Sequence, residues 1–263
     1  MTAVPDESAH DLLEQIRISF LKDPIDFSEK GNAAGEANYL GKAIPSYLRT
    51  LHDIEQIFEA SLTGRKILEI GSYFGMLAVA LARRGAEITA FDLPQYMDHP
   101  QLRHRLTAAG VTPLTGDLRD PQFTNLAGQF DLIVMCETIE HLPFNPIPSL
   151  RAINSALAPA GRLYLSQPNL ASLSNRKRIL LGHSHHNPIG DYFLQLDPTV
   201  DFSVGLHWRE YTASEIRELL TRLGWTIERQ YYHYSTDDKF SARMIYRYLP
   251  SLRPNVTTIA SKS

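Results

Sequence analysis

The sequence predicts an α/β protein built on a doubly wound, mainly parallel sheet, and three observations carry that prediction. From Lys66 onward, short apolar runs alternate with helical patterns. One of those runs, Asp131–Cys136 (DLIVMC), is apolar almost throughout, as expected of a central parallel strand covered on both faces. Another, Lys66–Ile70, passes through a turn bracketed by Gly71 and Gly75 directly into an alanine-rich helix.

Taken in order, residues 7–21 place Leu12, Leu13, Ile16 and Phe20 at helical spacing, which predicts a short amphipathic helix. The polar, glycine-containing stretch Ser28 to Gly41 predicts a loop or flap. Pro45 is expected to open a second helix reaching about Phe58, with Leu48, Leu51, Ile54, Ile57 and Phe58 on its buried side. The β-α series begins with the strand Lys66–Ile70 and a helix Met76–Arg84 stopped by Gly85. It continues with a strand Glu87–Asp92, a helix Pro100–Ala109 ended by Gly110, and a weaker strand Thr112–Thr115. The strand Asp131–Cys136, a helix around Ser149–Leu157 and a strand Arg162–Ser166 complete it.

Residues 168–210 break the rhythm with prolines, aromatics and four of the ten histidines, and read as a lid. Thr212-Ala-Ser-Glu215 is a capping box that starts a helix to Leu223, closed by Gly224. Thr226–Tyr232 and Met244–Tyr248 predict two last strands, a hairpin-like pair at the sheet end. The expected organisation is an N-terminal helical cap over residues 1–63 and one domain over 64–263 that carries the lid insertion.

Composition excludes several classes. Among 263 residues, 26 Lys and Arg face 29 Asp and Glu, a net charge of -3, which argues against broad binding to nucleic acid or acidic membranes. No DNA partner is expected. Cys136 is the only cysteine, so no intrachain disulfide forms and a reducing compartment fits. Asp6, Glu7, Asp11 and Glu14 occupy the N-terminus without a basic flank and apolar run, so no signal peptide is read. No stretch approaches the roughly 20 apolar residues of a membrane span. A cytoplasmic, soluble protein is the expectation.

The turn Glu69–Gly75 carries the first chemistry. Gly71 lets the backbone swing tightly at the strand end, and Gly75 lets the helix start pack close to the sheet. Amides exposed at that helix start favour an anion, here the carboxylate of a methionine moiety. Asp92 ends the second strand, 21 residues beyond Gly71, where an acid accepts hydrogen bonds from ribose hydroxyls. A lone Gly-x-x-x-Gly is also an ordinary turn. Glu69 ahead of it and Asp92 at this distance favour an adenosine-containing methyl donor. A nicotinamide enzyme is the competitor, but its Gly-x-Gly-x-x-Gly fingerprint is broken by Tyr73 in the middle position. Asp117, after the third strand, stands where it could meet the adenine amine or cap the Asp117–Asp120 turn.

The series LEIGSYFG, AFDLP, GDL, FDLIVMCETIEHL, LAPAGRLYLSQPN and HWREYTASEI resembles the class I S-adenosylmethionine-dependent methyltransferases. Within them it is most similar to the branch related to ubiquinone-biosynthesis O-methyltransferases. The resemblance covers about residues 64–232. It implies a seven-stranded Rossmann-like sheet with S-adenosyl-L-methionine across the C-terminal strand ends. It places Glu69, Gly71, Ser72 and Gly75 at the methionine end, Asp92 and Leu93 at the ribose, Asp117 and Leu118 at the adenine, and Cys136 beneath the sulfonium. Tyr73 departs from the glycine commonest in the family.

An alcohol acceptor must also lose a proton, to a general base or with the help of a metal. Glu137, Glu140 and His141 stand at i, i+3 and i+4 just past the central strand, so a helical turn would put them on one face. Two carboxylates and an imidazole there suit a divalent ion. The segment His207-Trp-Arg-Glu-Tyr-Thr resembles the one preceding the same helix in the ubiquinone O-methyltransferases and the small-RNA 2′-O-methyltransferases, which carry Glu-x-x-Glu-His and bind a divalent ion. By that resemblance Glu137, Glu140, His141 and His207 are the expected ligands of Mg²⁺ or a similar cation. The bland alternative has Glu140 capping a backbone amide and His141 acting alone or merely packing.

Within the lid, His183, His185 and His186 could bind a metal or substrate or be ordinary loop histidines. Arg176, Lys177 and Arg178 could meet an anionic group or form a solvated helix face. Tyr192, Phe193, Trp208 and Tyr211 could stack on a ring or form the lid's own core. The expected function is O-methylation of a sugar or glycan hydroxyl, because the segment from Ser166 to Arg176 resembles methyltransferases of polysaccharide biosynthesis. His141 or Glu137 is the expected base. A phenol or quinone acceptor and a non-catalytic cofactor-binding protein are the alternatives.

Overall fold

The computed structural model describes residues 8–27, 34–59, 61–120, 126–196, 205–234 and 239–262. The chain forms two compact units, Met1–Gly116 and Asp117–Ser263.

In the first unit, α1 (Ala9–Phe20) is capped by the Ser8 hydroxyl, which accepts from the Asp11 amide, and buries the four residues its periodicity selects. Helix α2 (Ala34–Ile57) corrects the expected loop up to Gly41 and the expected start at Pro45. Its buried stripe is Leu40, Ile44, Tyr47, Leu51 and Ile54, extended by Phe58 just beyond the helix, whereas Leu48 and Ile57 are only half-buried. The stripe therefore continues upstream through Pro45, and tertiary burial overrides the local cost of one missing hydrogen bond to the Gly41 carbonyl. The rest of the expected loop, residues 28–33, lies outside the described residues.

Strands β1 (Lys66–Ile70), β2 (Glu87–Asp92) and β3 (Thr112–Thr115) pair in parallel in the order β3-β2-β1. Between them stand α3 (Met76–Arg83), the short α4 (Pro94–Met97) and α5 (Pro100–Ala108). Met76 through Leu81 are all buried, so α3 is a core helix on which α1 and α2 pack. Arg105 of α5 ties the N-terminal segment down. Its guanidinium pairs with buried Glu36, lies 3.8 Å from the Phe20 ring centroid and donates to the Asp23 carbonyl at 2.9 Å.

In the second unit, β4 (Phe130–Cys136) has Leu132, Ile133, Val134 and Met135 fully buried, as its unbroken apolar run requires. It pairs in parallel with β5 (Leu157–Pro168), following α6 (Ile147–Ala156). Residues 168–210 are not devoid of helix. They hold α7 (Leu173–Leu180), capped by Ser172, and α8 (Ile189–Leu196), while 197–204 lie outside the described residues. Helix α9 (Ala213–Arg222) carries the predicted capping box, with the Thr212 hydroxyl and the Glu215 carboxylate bonded reciprocally to backbone amides.

The sheet end corrects one prediction. Met244–Tyr248 belongs to helix α10 (Phe240–Tyr248), and the partner of β6 (Trp225–His233) is β7 (Asn255–Lys262). A short apolar run does not by itself separate strand from helix. The stronger strand signal was Val256-Thr-Thr-Ile-Ala260, dominated by β-branched residues and buried at every position. β7 runs antiparallel to both β5 and β6, and the other described pairings are parallel. In the seven-stranded sheet the second unit's order is β4-β5-β7-β6.

Candidate functional site

The cofactor turn is a run of unusual backbone. Gly71, Tyr73 and Gly75 have φ of 78°, 47° and 77°. At Gly75 the requirement for glycine is double, because a Cβ would also stand 2.5 Å from Leu106 Cδ2. The turn is closed by Gly75 N–H donating to the Ser72 carbonyl at 2.8 Å. Tyr73 tolerates its positive φ because its amide donates to Asp92 Oδ2 at 2.7 Å and its ring packs against Phe27, Tyr39 and Tyr96. The Leu93 amide donates to the other Asp92 oxygen at 2.7 Å.

Two polar atoms at this turn are left over. Glu69 Oε2 and Ser72 Oγ are buried without a hydrogen-bond partner. Burial pushes the Glu69 carboxyl well above the usual carboxylate range, the Asp92 charge adds to the rise, and the Ala78 amide opposes it. Burial also raises Asp92 to about 6, against the lowering effect of the Tyr73 and Leu93 amides. The structure thus gathers Glu69, Gly71, Ser72, Gly75, Asp92 and Leu93 at the C-terminal ends of β1 and β2, with hydrogen-bonding capacity to spare.

The residues expected at the adenine and sulfonium lie in the second unit. Asp117 is engaged by Arg119, which donates from Nη2 at 2.6 Å and from Nε at 3.0 Å, and from its amide at 2.8 Å. That side-chain bond holds its carboxyl below the usual range. The arrangement matches the alternative turn-capping role of Asp117. Leu118 is buried, and its carbonyl accepts from the Ser149 hydroxyl at 2.7 Å. Cys136, half-buried, ends β4.

The acceptor-side group is also reshaped. A left-handed residue, Glu137 with φ of 48°, follows β4, and only Ile139–His141 form a 3₁₀ turn. The expected helical face of Glu137, Glu140 and His141 is therefore broken. Glu137 is exposed and accepts from the Ser166 hydroxyl at 3.3 Å. It is not part of the set that converges: Glu140, His141 and His207, whose ligand atoms lie within 4.8 Å of one another.

Each member of that set is oriented. His141 Nδ1 lies 3.1 Å from the Leu206 carbonyl, so Nδ1 carries the proton and Nε2 keeps its lone pair. His207 Nδ1 is 2.9 Å from Glu210 Oε1, a contact that orients its ring. Glu210 is steadied in turn by Asn175, donating at 2.7 Å. The Glu140 carbonyl accepts from the Trp208 amide at 2.8 Å, which ties the two segments together. Both Glu140 carboxylate oxygens are buried and receive no hydrogen bond. Burial, with the charges of Glu137 and Glu210, raises its carboxyl far above the usual range against the lowering effect of its own backbone amide. Burial and the charge of His207 press His141 down to about 4, so its ring is neutral at pH 7.

Sequence reasoning missed Glu210, Asn175 and Gly205. The spacing of His207 and Glu210 was the available signal for the first. Gly205 is required because a Cβ there would stand 2.8 Å from His141 Cε1. Conversely, Tyr211 is buried, so it is core rather than a lid ring, and Phe193 is exposed. His183, His185 and His186 do not join the converging set; the rings of His185 and His186 lie 4.0 Å apart.

Comparison with known proteins decides the family. A family model described as a methyltransferase domain matches residues 42–230. The chain belongs to the methyltransferases. This methyltransferase is a class I S-adenosylmethionine-dependent enzyme, related to the ubiquinone O-methyltransferases. It is 28% identical over 190 residues to the "Ubiquinone biosynthesis O-methyltransferase" of Pseudomonas aeruginosa (strain LESB58), covering 66% of this chain and 78% of that protein. It is 34% identical over 113 residues to the protein of the same name from Xanthomonas campestris pv. campestris (strain B100), covering 41% of this chain and 45% of the relative. Among solved structures, magnesium protoporphyrin IX methyltransferase from Synechocystis PCC 6803, with bound SAH, shares the fold at a TM-score of 0.56. Its identity is 18%, with 95% of this chain and 94% of that one covered. Among the described residues of this methyltransferase, no helix is long and apolar enough to cross a membrane.

Proposed function

We propose that this methyltransferase transfers the S-adenosylmethionine methyl group to a ring hydroxyl, assisted by a divalent cation held by Glu140, His141 and His207. The buried Glu140 carboxylate carries this reading. A fully buried carboxyl stays protonated without an ion, as its raised value above has it, or ionises against a cation, and two imidazoles share its space. One carboxylate with two imidazoles suits a transition ion such as Mn²⁺ or Zn²⁺ better than the Mg²⁺ first expected, which prefers oxygen. When bound, such an ion would polarise the acceptor hydroxyl and lower its pKa.

The protein's own residues do the rest. The Glu69–Gly75 turn, with Asp92 and Leu93, is the proposed seat of the methionine and ribose parts of the donor. Leu118 and Cys136 line the adenine and sulfonium ends in this reading, and Asp117 joins them by releasing Arg119. The C–S bond breaks as the C–O bond forms, and the acceptor proton must leave. With His141 Nε2 turned to the cation, Glu137 is the acceptor of that proton; without a cation, His141 takes the role. We retain residues 1–63 as a helical cap beside the domain 64–263, and a cytoplasmic setting.

A sugar or glycan hydroxyl remains the first acceptor class, on the texture of Ser166–Arg176 and the rings of Tyr192 and Trp208. A phenol or quinone hydroxyl is the second, favoured by the names of the curated relatives. A labelled-methyl transfer assay over sugars, oligosaccharides and catechols, with and without EDTA, separates them. Transfer that stops with EDTA and returns with Mn²⁺ is expected. Transfer indifferent to EDTA, or intact in Glu140→Ala, would remove the cation from the reading.

A further inference from the structure

A cavity of about 670 Å³ opens among α7, α8 and the segment that carries His207. That volume is ordinary for a small-molecule site. Its wall combines a guanidinium, imidazoles and aromatic rings: Arg178, His183, His186, Asn187, Tyr192 and Trp208. Among the described residues no acidic side chain lines it.

Asp191 and Glu210, near the cavity, are engaged elsewhere. Asp191 accepts from Asn187 Nδ2 at 3.0 Å, and Glu210 is held by His207 and Asn175. Arg178 donates from Nε to the Ser184 carbonyl at 2.8 Å and, among the described residues, forms no ion pair. A guanidinium that forms no ion pair and edges an open cavity suits a carboxylate or phosphate, which it can meet with two parallel N–H groups. The local charge is felt nearby: burial first, then His186 and Arg178, lower the His185 imidazole, against the opposing effect of Glu210. Tyr192 and Trp208 stand edge to face at 5.8 Å and offer flat surfaces to a ring.

Two wall residues are bonded to the segments that carry the Glu140 cluster. Asn187 Oδ1 accepts from the His207 amide at 2.9 Å, and Trp208, whose amide bonds the Glu140 carbonyl, follows His207 directly. We propose that this cavity is the acceptor site and that the acceptor is an anionic ring compound, its carboxylate or phosphate held by Arg178 and its hydroxyl directed to the cluster. The inference rests on the O-methyltransferase reading above and adds the charge of the acceptor to it.

Calorimetry on the full chain with SAH present tests it without requiring turnover. The probes are 3,4-dihydroxybenzoate against catechol, and glucose 6-phosphate against glucose; the two pairs distinguish an aryl carboxylate from a sugar phosphate. In the pair whose ring fits, the anionic member should bind about tenfold tighter or more, the size of one charge-assisted bond. Arg178→Gln should abolish that preference while the neutral member binds as before, showing the cavity intact. Lys177→Gln, which removes the same charge outside the cavity, should preserve it. Equal binding of charged and neutral members, a preference that survives Arg178→Gln, or no binding by any of the four would overturn the proposal. An anionic probe that binds through Arg178 but accepts no methyl group upholds the cavity assignment and refutes O-methyl transfer to that ring.

Discussion

The Glu69–Gly75 turn and the Glu140–His141–His207 cluster are built by opposite means. The turn is one continuous stretch, shaped by three positive φ angles, and the Asp92 carboxylate beside it is met by the Tyr73 and Leu93 amides, though Glu69 Oε2 is left over here too. The cluster joins positions 66 residues apart, and its rings are aimed by bonds to a carbonyl and a carboxylate. It leaves a buried carboxyl that no other residue donates to. A ligand recognised by amides and shape needs only a well-bent backbone. In the reading proposed above, a cation takes lone pairs that the fold leaves unsatisfied, here brought together from two distant segments.

That contrast predicts mutations that separate the two functions. The largest effect should come from Glu140→Ala or His207→Ala. Transfer should fall by roughly 10³-fold, the several kcal/mol that a polarising ion contributes, while calorimetry still finds wild-type SAH affinity. A parallel loss of SAH affinity would show that the two regions do not act separately. Next is Gly205→Ala, whose methyl group must push the His141 ring aside. A displacement of about 1 Å predicts roughly a 10²-fold fall in kcat, with the donor's KM unchanged.

On the other side, Gly75→Ala meets both its positive φ and Leu106. It should cost about 1–3 kcal/mol of stability in chemical denaturation and weaken SAH, yet leave Mn²⁺ binding intact. The smallest effect is the pH dependence of Asp92. Ribose hydroxyls require an ionised acceptor, and burial holds this carboxyl at about 6. SAH affinity should therefore decline by about tenfold per unit below that pH, and Asp92→Asn should flatten the profile. The sign for stability is the reverse. Because the folded value lies above the unfolded one, the Asp92 contribution is full below about pH 4 and lost as pH rises through about 6.

The same contrast explains what the sequence revealed. Strands β1, β2 and β3 and the Thr212 capping box were legible to the residue because their signals are local: apolar runs bounded by glycine, and a hydroxyl three residues ahead of a glutamate. The glycine turn was legible for the same reason. Helix α2 was misread at its start because Pro45 is a strong local signal, overruled by burial of Leu40 and Ile44. The last strand was misplaced because Met244–Tyr248 offers an apolar run whose period is too short to decide. Within the cluster, Glu140, His141 and His207 were identified, but Glu137 was included on a helical spacing that its own left-handed backbone interrupts. Glu210 and Gly205 act only through histidines brought near by folding, and spacing alone gives them little weight.

The most direct test of the central claim is titration of Mn²⁺ into the full-length chain by calorimetry, with and without SAH, in the wild type and in Glu140→Ala. One ion per chain in the wild type, none in Glu140→Ala, and equal SAH affinity in both would establish the cluster as a cation site independent of the donor turn. No Mn²⁺ binding in the wild type, or equal binding in Glu140→Ala, would contradict it.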